Sequence, residues 1–242
     1  MRRSLAVVVL AACGGSSPPA PIEAHAATRA HPTTPAPSIT WIDNGFVAHG
    51  LPAVTSDGST VVLAIQAEDG GRGAPNLAVV ALDRHDAITA TVPVLGVDET
   101  EAMFDEHGMR PTLRARIQAA NDRLTTLHAQ HDLVALPALT IDTTVEADQR
   151  LRATGTDLTV EWKAGVLEIR DRRREVKRVP TPASWLVADR PLCTTCTEIC
   201  HNAAYLGGVV ADATRRIAVV TISYTGTDTC WEPSSQHHVV AW

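Results

Sequence analysis

Leu158-Thr159-Val160-Glu161-Trp162 and Val166-Leu167-Glu168-Ile169-Arg170 are two short runs rich in β-branched and aliphatic residues. The three residues between them, Lys163-Ala164-Gly165, form a compact hairpin signal. This pair sets the class, because the same signal recurs in both directions along the chain. Upstream lie Thr60 to Gln66 and Leu77 to Leu82, with the turn-forming Asp69-Gly70-Gly71-Arg72-Gly73-Ala74-Pro75 between them. Ile88 to Leu95 and Leu133 to Ile141 read as further strands. Downstream, Tyr205 to Ala211, Ile217 to Tyr224 and His237 to Trp242 complete the set.

One segment has helical period instead. Leu113, Ile117, Ala120, Leu124 and Leu127 recur at spacings of three and four, which places them on one face of a helix. Pro111 suits its first turn, where a missing N–H costs nothing. A helix from about residue 111 to 130 is expected, packing that stripe on a sheet. The expected fold is α+β: a mainly antiparallel β-sheet with one amphipathic helix packed on it, in a single domain over residues 39–242. A weak internal echo links Val54-Thr55-Ser56-Asp57-Gly58-Ser59-Thr60 with Val210-Ala211-Asp212-Ala213-Thr214, each leading into an aliphatic strand. Two copies do not make a propeller, which needs about four blades or more, so a shared hairpin design is the plainer reading.

The N-terminus has a different character. Arg2 and Arg3 precede a short apolar run, Leu5 to Ala12, and then Cys13. A run of eight is too short for a membrane-spanning helix, which needs about 20 apolar residues; it fits the core of a cleaved export signal. Leu10-Ala11-Ala12-Cys13 resembles the bacterial lipoprotein box. That resemblance covers only the first 13 residues. It implies cleavage before Cys13, diacylglycerol on its thiol, and a protein anchored to a membrane through that lipid. It places the protein in the cell envelope, with its domain facing the periplasm or the outside. Gly14 rather than Asp follows the cysteine, which leaves the outer membrane open as the destination. Residues 1–12 are thus read as signal peptide and 13–38 as lipidated cysteine plus linker. Pro18, Pro19, Pro21, Pro32, Pro35 and Pro37 favour extended backbone in that linker, and its composition forms no core. Fully extended at about 3.1 Å per residue, residues 16–38 reach roughly 70 Å.

Net charge is −6, and loss of Arg2 and Arg3 would make it −8. Acidity of this kind argues against general nucleic-acid binding, which needs a positive face. No second apolar segment approaches 18 residues.

The C-terminal third holds one cluster that could carry chemistry: Cys193, Cys196, Cys200 and His201, with Cys230 downstream. In an oxidising compartment four cysteines favour two disulfides. Of the three pairings, Cys193–Cys196 with Cys200–Cys230 is preferred; the second would close about 30 residues and contribute about 3–4 kcal/mol. Three other readings remain open. Thr195-Cys196-Thr197-Glu198 has the form of a capping box, which could activate Cys196 for thiol–disulfide exchange with Cys193. Three thiolates with His201 or Cys230 could hold structural zinc. Cys196 to His201 resembles covalent haem attachment, with one residue too many between its cysteines.

Other constellations are weaker. His128 and His131 could share a metal, but a solvated face near a helix C-terminus is the simpler reading. His237 and His238 in one strand point to opposite faces. Asp98, Glu99, Glu101, Asp105 and Glu106 lack calcium-loop spacing and read as solvated loop. Arg170, Arg172, Arg173, Arg174, Lys177 and Arg178 form a basic hairpin that could meet lipid headgroups or acidic polysaccharide, or simply be a soluble turn. There is no G-x-S-x-G, H-E-x-x-H, phosphate-loop or dinucleotide pattern. The sequence therefore leads to an envelope lipoprotein with a non-catalytic domain that binds or scaffolds an envelope protein or polysaccharide, without cofactor. The alternative is thiol–disulfide exchange at Cys193 and Cys196.

Overall fold

The computed structural model describes residues 34–43, 45–66, 76–96, 99–105, 108–142, 151–163, 165–186, 204–224 and 235–242. All of them fall in one compact unit, Pro32–Trp242. In chain order come strands β1 (Ser38–Ile42), β2 (Gly45–His49), β3 (Ala53–Val54), β4 (Thr60–Ile65), β5 (Leu77–Asp83) and β6 (Ile88–Leu95). Then follow α1 (Thr100–Met103), β7 (Phe104–Asp105), β8 (Gly108–Met109), α2 (Pro111–His131), β9 (Val134–Ala135) and β10 (Thr140–Asp142). The C-terminal part adds β11 (Leu151–Thr154), β12 (Leu158–Lys163), β13 (Val166–Asp171), β14 (Arg174–Pro180) and α3 (Ala183–Leu186). The last strands are β15 (Ala204–Asp212), β16 (Ile217–Tyr224) and β17 (Gln236–Ala241).

The strands build three main sheets, with orders β6-β5-β4-β3-β9, β15-β16-β17 and β10-β11-β12-β13-β14, and two small hairpins, β1-β2 and β7-β8. Every pairing among them is antiparallel. The expected antiparallel class is therefore present, but the single sheet is not. Sheets and helix stack in four layers.

The outer layer is α2 with the β1-β2 hairpin. Its Leu113, Ile117, Ala120 and Leu124 pack on Ala53, Val62, Leu77, Val79 and Val94 of the first sheet. The opposite face of that sheet, with Val54, Val61, Leu63, Val80 and Leu82, meets Ile217, Val219 and Val239 of the three-stranded sheet. The far face of the three-stranded sheet, with Val209, Ala218, Val220, Ile222 and Val240, covers Leu158, Val160, Trp162, Leu167 and Ile169. The physical reason lies in β16. Ile217, Ala218, Val219 and Val220 are each at most 1% exposed. A continuous apolar run buries both faces of its strand and so requires a partner layer on each side.

Three local differences have equally plain causes. The strand expected over Leu133 to Ile141 is split into β9 and β10, because Pro137 has no N–H to give to a ladder. The expected basic hairpin is present, and its second arm adds a strand beyond those expected: β14 pairs with β13 across an irregularity at Ile169 and Arg170. The helix runs as expected from Pro111, and ends one residue beyond 130, at His131. Asp132 follows it in the left-handed region at φ 50° and donates its N–H to the His128 carbonyl. Pro93 lies in β6, the edge strand of its sheet, where a proline costs least.

Candidate functional site

Three hairpin turns meet at one place, and each is organised by an aspartate. In the β3–β4 turn, Asp57 accepts the Thr55 hydroxyl at 2.6 Å and the Ser59 N–H at 2.9 Å. Those bonds, the Thr55 one foremost, hold its carboxyl at about 2. In the β5–β6 turn, Asp83 accepts the N–H groups of His85 at 2.7 Å and Ala87 at 3.0 Å. In the β15–β16 turn, Asp212 accepts the N–H groups of Thr214 and Arg215 and pairs with the Arg215 guanidinium. Arg84 joins all three. Its Nη1 donates to the carbonyls of Gly58 at 3.0 Å and Arg215 at 3.2 Å, and its Nη2 reaches the Arg216 carbonyl at 3.4 Å. Gly58 has φ +72°, and a Cβ there would come within 3.2 Å of Arg84 Nη1. The echo between residues 54–60 and 210–214 thus corresponds to two turns of like build, now brought together.

From the same β5–β6 turn, Asp86 reaches the free edge of β17. One carboxylate oxygen accepts the Val239 N–H at 2.6 Å; the other lies 2.7 Å from His238 Nδ1. The His238 ring stacks on Trp185 with centroids 3.9 Å apart and planes at 16°. Its Nε2 faces Gln236 Oε1 at 3.2 Å. Tyr224 donates its hydroxyl to the Trp185 carbonyl at 3.0 Å. An aspartate–histidine pair is able to move a proton, but here both ring nitrogens already have partners. Among the described residues no hydroxyl or thiol lies at hydrogen-bond distance from His238 Nε2. The group works as a clamp that closes the β17 edge and joins two sheets. His237 takes the opposite face and meets the Thr221 hydroxyl at 3.0 Å. Burial, with a smaller contribution from His238, holds its imidazole below the usual 6.5.

A second feature is concave. Between α2 and β4, β5 and β6 lies a cavity of about 170 Å³, open to solvent on one side. Val62, Val79, Val92, Ala120, Leu124 and Leu127 give it an apolar lining. Thr60, Thr89, Ala81, Ala90, Val80 and Arg123 complete it.

Cys13, Cys193, Cys196, Cys200 and Cys230 all lie outside the described residues, as do His25, His31, His201, Trp231 and the 69–75 turn. The expectation for His128 is corrected. It is 5% exposed rather than solvated, continuing the inner stripe of α2 four residues after Leu124, and its Nε2 lies 2.9 Å from the Thr34 carbonyl. His131 is exposed. No group of three or more His, Cys, Asp or Glu suited to a metal occurs among the described residues. Of the acidic run, Asp98 and Glu106 lie outside the described residues, and Glu99 and Asp105 are part-exposed and ion-paired. Glu99 makes two bonds with Arg116, at 2.8 and 3.0 Å, and accepts the Gly96 N–H; Asp105 pairs with Arg110 at 3.5 Å. The basic hairpin is partly neutralised by Glu168, which meets Arg170 at 2.8 Å and Arg178 at 3.8 Å, and by Asp157 beside Arg172.

Arg84, Asp86, Trp185 and Arg123 were not singled out by sequence. Asp86 and His238 stand 152 residues apart, and no local pattern links them. Compared with known proteins, the chain matches no protein-family model, no curated protein and no solved structure.

Proposed function

We propose that this chain is a bacterial envelope lipoprotein, held to a membrane by lipid on Cys13, whose domain binds or scaffolds another envelope component without catalysing a reaction. The observation that carries the binding reading is the solvent-open apolar cavity between α2 and β4–β6. A concave, mostly apolar surface with a few polar groups is the usual form of a binding site. The Asp86–His238 pair, by contrast, is consumed in holding the fold together. The tether reading rests on the resemblance at Leu10 to Cys13. Thr34 is bonded to His128, and both backbone groups of Ile39 are bonded to Asn121, at 2.7 and 3.0 Å. No helix among the described residues is long and apolar enough to cross a membrane.

The test is fractionation of cells expressing the native chain and Cys13→Ala. The native chain is expected in the membrane fraction after a high-salt wash, and the variant in the soluble fraction. A variant that stays with the membrane would contradict the lipid tether.

A further inference from the structure

We propose, building on the binding reading above, that the cavity beside α2 takes a small amphipathic anion. An acyl or aryl body fills the apolar space and the anionic head rests on Arg123. The size argument comes first. About 170 Å³ is close to the roughly 150 Å³ of an apolar engineered cavity that admits benzene. The occupant's apolar part is thus a ring or a chain of about six to eight carbons.

The lining decides its chemistry. Val62, Val79, Val92, Leu124 and Leu127 offer no hydrogen bonds, so a polar body would lose its water without replacement. Thr89 donates its hydroxyl to the Ala81 carbonyl at 3.1 Å, and the Thr60 hydroxyl lies 3.5 Å from that of Ser59. The remaining strong group is the Arg123 guanidinium, one residue before Leu124 and four before Leu127.

Arg123 also differs from its neighbours. Arg110 pairs with Asp105, Arg114 donates to the Met109 carbonyl at 2.8 Å, and Arg116 holds Glu99 with two bonds. Arg123 has no hydrogen bond or ion pair among the described residues, and it is exposed at the open side of the cavity. A cation without a protein partner beside an apolar recess complements one anionic head joined to one apolar body, and a guanidinium suits carboxylate and phosphate alike. Such a group could come from a free acid or from a membrane lipid.

The test uses the full-length Cys13→Ala chain, purified without detergent, and calorimetric or NMR titration with three probes. Sodium octanoate represents the free acid, dihexanoyl phosphatidic acid the lipid, and octanol the uncharged body. One-to-one binding of at least one anion, ten-fold or more tighter than octanol, is expected. Arg123→Gln should bring the anion down to the octanol level and leave octanol unchanged. Ala90→Trp, which fills the recess from the exposed edge strand, should abolish binding of all three while the thermal midpoint is kept. Tighter binding of octanoate identifies a free acid as the source; tighter binding of the phosphatidic acid identifies a lipid. The proposal is overturned if neither anion binds, or if Arg123→Gln leaves anion affinity unchanged. It also fails if Ala90→Trp folds and still binds. Should it fail while cross-linking in cells still captures a discrete envelope partner on the tethered domain, the binding reading survives and only the ligand assignment falls.

Discussion

Val219 and Val220 are neighbours in β16, yet they belong to different interfaces. Val219 is 1% exposed and packs toward the β3–β6 sheet; Val220 is 0% exposed and packs toward the β10–β14 sheet. Val→Ala at a buried site removes the equivalent of two methylene groups, each worth about 0.8 kcal/mol on transfer from water. A cavity term adds to this, so each substitution should cost about 2 kcal/mol. For a domain of this size that corresponds to a fall of about 4–8 °C in thermal midpoint. In a sheet covered on one face only, one of the two would cost less than about 0.5 kcal/mol, the usual range at exposed sites. Urea unfolding followed by tryptophan fluorescence reads both. Two similar losses with unchanged denaturant slope support the middle-layer position of β16. A loss at one site and none at the other would refute the stacking of three sheets.

Three further consequences follow from individual contacts. Asn121→Leu removes both partners of the Ile39 backbone, costing about 1–3 kcal/mol for the groups left unpaired; faster hydrogen exchange at the Ile39 amide is expected, and unchanged protection would contradict it. His237 is held below 6.5 by burial, so the unfolded chain takes up that proton first and stability falls as pH drops through about 6.5. His237→Gln should flatten that decline between pH 7.5 and 5.5 in urea midpoints, and an unaltered slope would assign it elsewhere. Arg172 and Arg173 both have positive φ, at 46° and 73°, in the β13–β14 turn. Replacing them with Asn-Gly, the pair that adopts this turn readily, should raise the urea midpoint by an amount corresponding to about 0.5–2 kcal/mol. A lower midpoint would show that the arginines stabilise the turn through their side chains.

What could be read in advance depended on how far apart the interacting residues lie. The β12–β13 hairpin is legible because its three-residue turn and both strands are local, and α2 because one aliphatic stripe repeats along it. The apolar run in β16 was legible as a strand, but its meaning for the number of layers emerges only once two sheets are seen against it. β14 was hidden by its charge: Arg174, Glu175, Lys177 and Arg178 face largely outward, so its pairing with β13 leaves little apolar alternation. His128 shows the same limit. A histidine near a helix end reads as solvent-facing, whereas its place after Leu124 on the inner stripe and the carbonyl of distant Thr34 make it buried. At the candidate sites, the aspartate-led turns at Asp57 and Asp212 left a local trace in sequence. The Asp86–His238 clamp and the cavity at Arg123 are assembled from segments far apart and left none. The cysteines, on which the alternative function rests, lie outside the described residues.

The central claim is a lipid tether at Cys13, and the mature N-terminus tests it most directly. Intact-mass and peptide mass spectrometry of the protein extracted from membranes should find an N-terminal peptide that begins at Cys13. That peptide should carry a diacylglyceryl group on the thiol. An N-terminus elsewhere, or a Cys13 peptide with an unmodified thiol, would contradict the account.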